Sequence, residues 1–256
     1  MVELVILGSG GGYVSERRAC ASFIFGNKLI DCGFGSLSNF RKLGLELDQI
    51  EEIYISHLHA DHYWDFVSFL WAMALEERTK PLTVISSESV RRALKAAFRL
   101  SALPKQAIKF MVLFKAPNEL GVKFVRGIHK PESFAYKISF DGVTIVYSGD
   151  TAPSQAIADL AAGGDLLIHE ATFLYRHAEY AHKVNHSTAE EVARMASDIN
   201  IKKLVLTHFS PVEDDEKEYI EEASKYYDGE LIIAKDLLEV SITSDRFEKE
   251  SRNLFG

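Results

Sequence analysis

Cysteine is scarce: Cys20 and Cys32 are the only two. Two cysteines make no disulfide framework, so a disulfide-stapled secreted scaffold is excluded and a reducing, cytoplasmic setting is expected. No stretch approaches the roughly 18 apolar residues that a bilayer-spanning helix requires, so no membrane partner is expected. The opening MVELVIL carries no basic residue ahead of its short apolar run and reads as a first strand rather than a secretory leader. Positive charge is also in deficit. The chain has 29 Lys and Arg against 37 Asp and Glu, a net charge of −8. That balance argues against a general polyanion binder and leaves nucleic acid only a local basic patch. Low-complexity segments, short repeats and Pro/Gly/Ser linkers are absent. The 256 residues, 47% of them hydrophobic, therefore read as one domain over 1–256 with a sizeable core.

The hydrophobic pattern alternates between two periods. Strands are expected at 2–7, 22–26, 28–32, 51–57 and 82–86, with Gly26-Asn27 as a hairpin turn and a short helix at 36–43. From residue 61, Trp64, Val67, Leu70, Trp71, Ala74 and Leu75 recur at helical spacing, which makes both tryptophans core residues of one helix. A helix at 88–100 follows. The middle is strand-rich (108–113, 121–128, 134–140, 143–148), and Asp141-Gly142 is a hairpin signal. Helices at 153–162, 188–198 and 215–227 then alternate with strands at 165–169, 203–207 and 230–233. The expectation is an α/β fold, two sheets face to face with helices outside.

The stretch ISHLHADHYWDF places His57, His59, Asp61, His62 and Asp65 where a strand gives way to a helix. His-x-His on extended backbone points two imidazoles to one side. A turn then swings Asp61 and His62 toward a second position. A metal needs three or four such ligands, so each pair needs remote partners. His129, Asp150 and His208 each follow a predicted strand, and the carboxyl ends of strands form the ligand crevice of α/β sheets. An aspartate such as Asp150 can offer one oxygen to each of two metals. Two metals about 3.5–4 Å apart lower the pKa of a shared water from 15.7 to about 7, which yields a hydroxide nucleophile at neutral pH.

SHLHADH resembles the His-x-His-x-Asp-His motif of the metallo-β-lactamase superfamily. LGSGGGYVSERRACASF, LIDCGFGS, GIHKPESFAYKI, YSGDTAPS, DLLIHEATF, NHSTAEEVA and LVLTHFSP resemble, in order, the landmarks of its RNase Z-like branch over residues 3–211. The resemblance implies a metallo-β-lactamase-type αββα sandwich and a metal-dependent phosphodiesterase. One metal would take His57, His59 and His129, the other Asp61, His62 and His208, with Asp150 bridging. Zinc is implied, and manganese or iron would also suit. Asp61 would further orient or deprotonate the attacking water. His186, steadied by Glu170, would give a proton to the leaving oxygen, help worth about 10²–10⁴ in rate. Asp31 would be an acceptor that orients a ligand imidazole. A homodimer is implied by the resemblance alone.

Some residues are read without that help. Gly8–Gly12 is a close-packed loop beside the cleft rather than a dinucleotide loop, because no helical pattern follows it. Ser187-Thr188, with Glu190 and Glu191 three residues on, reads as a helix N-cap that would fix His186 in place. The acidic run 213–222 is a solvated helix start. Aromatic and basic residues interleave in 173–186, where Arg176 and Lys183 suit a phosphate-bearing substrate whose bases stack. Arg17 and Arg18 form a second candidate phosphate contact.

One departure from the branch stands out. Its tRNA-processing members insert a long flexible arm after the third metal motif, which grips the tRNA elbow. Here 130–149 hold only two strands and an Asp-Gly turn. The substrate is therefore open between RNA, as a tRNA precursor, and a small cyclic or aryl phosphodiester such as a cyclic nucleotide. A di-iron oxidoreductase on the same fold is the alternative of another class. That reading calls for a flavin partner domain and carboxylate-rich ligation, whereas histidine dominates here.

Overall fold

The computed structural model describes residues 2–212 and 215–243. Its first sheet opens with β1 (Val2–Gly8), β2 (Ser22–Phe25) and β3 (Lys28–Ile30), antiparallel neighbours. Parallel strands β4 (Glu52–Tyr54), β5 (Leu82–Ile85) and β6 (Val112–Lys115) extend it. The second sheet repeats the plan. Strands β7 (Lys123–Arg126), β8 (Phe134–Phe140) and β9 (Val143–Tyr147) are antiparallel. Strands β10 (Leu166–Glu170), β11 (Lys203–Thr207) and β12 (Glu230–Ile233) continue from β9 in parallel. A last strand, β13 (Glu239–Ile242), crosses back to pair with β1.

The period-two alternation sorts each strand of the first sheet between two cores. Leu4 and Ile6 of β1, Tyr54 of β4 and Ile85 of β5 face the second sheet. Val5, Leu7, Ile53 and Val84 face helices α1 (Ser36–Lys42), α3 (Phe66–Leu75) and α4 (Glu88–Leu100). Tyr54 meets Tyr136 edge-on at 5.5 Å and Phe23 meets Tyr147 at 5.4 Å, which joins the sheets face to face. Helices α5 (Gln155–Ala161), α7 (Ala189–Asp198) and α8 (Glu216–Ala223) belong to the second half, with Ala161, Val192, Ala196 and Tyr219 in its core. Among the described residues no helix is long and apolar enough to cross a membrane.

Several expectations need correction. The expected helix from 61 is two, a single turn α2 (Ala60–Tyr63) and α3. Asp65 interrupts them because its carboxylate accepts from the Leu37 amide at 3.2 Å. The break turns Trp64 outward at 55% exposure, so it is not a core residue. Residues 173–186 are not a plain loop: Tyr175–His177 form a 3-10 turn and α6 (Ala178–Lys183) follows. His182 consequently lies inside a helix. β6 begins later than expected, and β13 is an addition whose alternation of buried Val240 and Ile242 with exposed Glu239 and Ser241 was readable. In the acidic run, 213–214 lie outside the described residues. The helix starts at Glu216 and is shorter than expected.

Candidate metal centre

The ends of four strands converge where the sheets meet. His57 and His59 follow β4, His129 follows β7, Asp150 follows β9, and His208 follows β11. His57, His59, His129 and Asp150 form one group whose ligand atoms lie within 4.8 Å of one another, and Asp61, His62 and His208 form another. Asp150 serves both. Its Oδ2 is 3.4 Å from His57 Nε2, and its Oδ1 is 3.2 Å from His62 Nε2 and 3.4 Å from His208 Nε2.

Each imidazole is oriented from behind. The Asp31 carboxylate is buried and accepts from the Ser56 amide, Ser56 Oγ, Tyr147 Oη and His62 Nδ1, each at 2.7 Å. Ser56 gives its proton to Asp31, so its oxygen is left to accept from His57 Nδ1 at 3.0 Å. Thr172 Oγ1 donates to Glu170 at 2.7 Å and accepts from His208 Nδ1 at 2.9 Å. His129 Nδ1 donates to the Asn185 carbonyl at 3.0 Å. With every Nδ1 proton used outward, four Nε2 lone pairs turn inward. His59 instead presents Nδ1, 3.0 Å from His57 Nε2 and 3.1 Å from His129 Nε2.

Lone pairs at that distance repel unless a cation lies between them. Asp150 Oδ1 makes the same point, as it is buried with no hydrogen-bond partner. The donor set, imidazole with carboxylate, suits zinc-like divalent ions. The residues present therefore fit a pair of metal ions. The field agrees. Burial and the neighbouring His62 push His57 down to about 4, in the neutral form that a ligand must have. Burial opposes ionisation of Asp61, but His62 and His208 outweigh it and hold the carboxyl well below its usual range.

The glycine-rich loop closes one wall. The Gly12 amide donates to Asp61 Oδ2 at 2.5 Å. A Cβ on Gly11 would lie 2.4 Å from the His208 ring, so only glycine lets the loop pass.

Against the opposite wall stands a second device. Glu170 is buried, and its carboxylate accepts from the Thr151, Thr172 and Ser187 amides and from His186 Nδ1 at 2.8 Å. Burial raises the Glu170 pKa, yet the facing His186 imidazolium outweighs it and lowers the group overall. For His186, burial works against the charge, but the Glu170 carboxylate prevails and holds its pKa up at about 9. Its Nε2 is thus left to carry a proton into the cleft at neutral pH. Thr172, Ser56, Tyr147 and Asn185 lie inside the landmark motifs, but the sequence reading gave none of them a role in orienting a ligand.

The expected phosphate contacts are placed elsewhere. Arg18 is buried and donates to Ser9 Oγ, the Ala234 carbonyl and Glu216, which ties the glycine loop to the C-terminal segment rather than to a substrate. Arg176 makes a forked pair with Glu218 at 2.8 and 2.9 Å. Arg17 and Lys183 are exposed, and neither lines the cleft.

Comparison with known proteins shows the family and the fold. Residues 27–209 match the model of the beta-lactamase superfamily domain. Ribonuclease Z of Archaeoglobus fulgidus is 30% identical, with 96% of this chain and 99% of that protein covered. The match runs over 308 residues against the 256 of this chain, so that relative carries residues with no counterpart here. Among solved structures, the metallo-beta-lactamase fold protein YhfI from Bacillus subtilis superposes with a TM-score of 0.80 at 21% identity, and human tRNase Z, short form, with 0.79 at 24%. Each covers 94% of this chain and is itself wholly covered. The chain therefore belongs to the beta-lactamase superfamily and, within it, to the ribonuclease Z family.

Proposed function

We propose that the chain is a metal-dependent endoribonuclease of ribonuclease Z type that cuts a phosphodiester at the 3′ side of precursor tRNA. The observation that carries this reading is the Glu170–His186 pair set beside the two ligand groups. A site that only held metal has no use for a buried carboxylate that keeps an imidazole protonated. His57, His59 and His129 would hold one ion, Asp61, His62 and His208 the other, and Asp150 would span both. Zinc suits these donors best. When bound, such ions supply Lewis-acid polarisation and a lowered pKa for water.

The rest belongs to the chain itself. Asp61, held by the Gly12 amide, orients the attacking water and draws its proton. His186 carries a proton at Nε2 toward the oxygen that departs, and Glu170 stabilises the charge until transfer. A departing alkoxide is a poor leaving group, so this donation is worth about 10²–10⁴ in rate.

One observation favours a second reading. Between His129 and Asp150 there is room only for β8, its tight turn and β9, so the arm that would grip a tRNA is missing at that point. Hydrolysis of a smaller phosphodiester by the same groups follows if no other surface holds the tRNA. Incubation of zinc-loaded protein with 3′-extended precursor tRNA decides, with Asp61→Ala as the blank. A single wild-type-dependent cut at the 3′ end of the acceptor stem supports the first reading. No cut, by protein that still hydrolyses bis(p-nitrophenyl) phosphate, selects the second. Loss of neither activity in Asp61→Ala would remove both.

A further inference from the structure

The cleft over the metal ligands encloses about 500 Å³, and among the described residues its lining contains no lysine and no arginine. Positive charge at the scissile phosphate is left to His186 and to the ions the ligands would hold, and contact with the rest of the substrate falls to other side chains. Besides the ligands, Thr172, His186 and Ser210, its walls carry Tyr13, Phe173, Tyr180, Val184 and Pro211. Two of these are large rings left open to solvent, Tyr13 at 57% and Tyr180 at 56% exposure. Tyr180, on α6, is braced edge-on by Phe173 at 5.5 Å. Phe173 in turn lies 6.2 Å from the His186 ring. The braced pair therefore borders the imidazole that serves the departing oxygen, while Tyr13 borders Gly12 on the side of Asp61.

We infer that the Tyr180–Phe173 wall is a stacking subsite for one unpaired nucleobase, that of the nucleoside whose oxygen departs, and that this stacking holds the part of the substrate beyond the scissile phosphate. The inference rests on the phosphodiesterase reading and names its substrate class: a diester with a splayed base beside the scissile phosphate. A base offers a flat face to a ring whatever its identity, so the subsite is tolerant of sequence. Tyr180 contributes as a positioning group, through KM more than through kcat.

The test uses the metal-loaded, full-length protein and three substrates: adenylyl-3′,5′-adenosine, and the same dinucleotide with an abasic ribose in place of either nucleoside. Products are separated by chromatography. Loss of the base on the departing side is expected to lower kcat/KM on the order of tenfold or more, by the usual worth of one stacked base. Loss of the other base is expected to matter less. In Tyr180→Leu the quotient between intact and departing-side abasic substrate falls toward one, and in Tyr180→Phe it is retained. Melting temperature and bound-metal content, both measured on each variant, show that fold and metals survive. An unchanged quotient in folded, metal-loaded Tyr180→Leu overturns the inference while the phosphodiesterase reading stands. Hydrolysis of none of the three, nor of bis(p-nitrophenyl) phosphate, by wild-type protein overturns that reading and the inference with it.

Discussion

At the scale of single residues, the centre is built from side chains whose polar atoms are almost all committed. Asp31 illustrates the cost. It sits at φ 52° and satisfies Ser56, His62 and Tyr147 at once. Asp31→Ala leaves those donors without an acceptor in a buried site. Metal affinity is expected to fall about 10- to 100-fold, as for other groups that orient a ligand imidazole, and competition with a chromogenic chelator measures it. The Glu170–His186 pair makes a pH prediction. His186 is raised above its ordinary value to about 9. The imidazolium and its ion pair are therefore fully present below about 6.5, where an unperturbed histidine titrates, and are lost as pH rises through about 9. With His186 as the proposed acid, kcat/KM should fall above about pH 9. In Glu170→Gln the chief force raising the pKa is gone while burial remains, so the alkaline limb should move to lower pH and the rate at neutral pH drop. A limb that stays in place in the glutamine variant would show that His186 is not the acid.

At the scale of elements, capping and catalysis share a few bonds. Thr188 caps α7 through the Glu191 amide, while Glu191 reaches back to the Thr188 amide at 3.1 Å and hydroxyl at 2.7 Å. His186 and Ser187 enter the site in the two residues before that cap. Thr188→Ala should destabilise the protein by about 1 kcal/mol in urea unfolding. It should also lower kcat more than KM, because the backbone that aims His186 loosens. A stability loss with no change in kcat would separate cap from relay. The single turn Ala60–Tyr63 likewise carries both Asp61 and His62 to the second ligand group.

At the scale of the whole molecule, the proposed metal ions would bind at a carboxylate- and imidazole-rich junction between two sheets. Their removal should destabilise the fold as well as silence it. For free metal at about a thousand times its dissociation constant the linkage is worth about 4 kcal/mol. Chelation should therefore lower the melting temperature measurably, and added zinc should restore both stability and phosphodiester hydrolysis. An unchanged melting temperature would show that the ligands are held by the sheets alone. Much of this was readable in the chain. Period-two and helical spacing marked most strands and helices, and the tight run from His57 to His62 announced a ligand cluster because few other uses need such chemistry in so short a stretch. The remote residues His129, Asp150, Glu170, His186 and His208 were legible as strand-end or helix-start positions and through the family's motifs. Their mutual distances, the inward Nε2 atoms, the Thr172 link between relay and ligand, and the inward turn of Arg18 were not. Local spacing governs which face of a strand or helix a side chain occupies, and that is encoded within a few residues. Which faces meet is set by how two sheets pack, a sum over contacts hundreds of residues apart, and so the orientation of each imidazole and the cation-free lining of the cleft emerge only in the folded molecule.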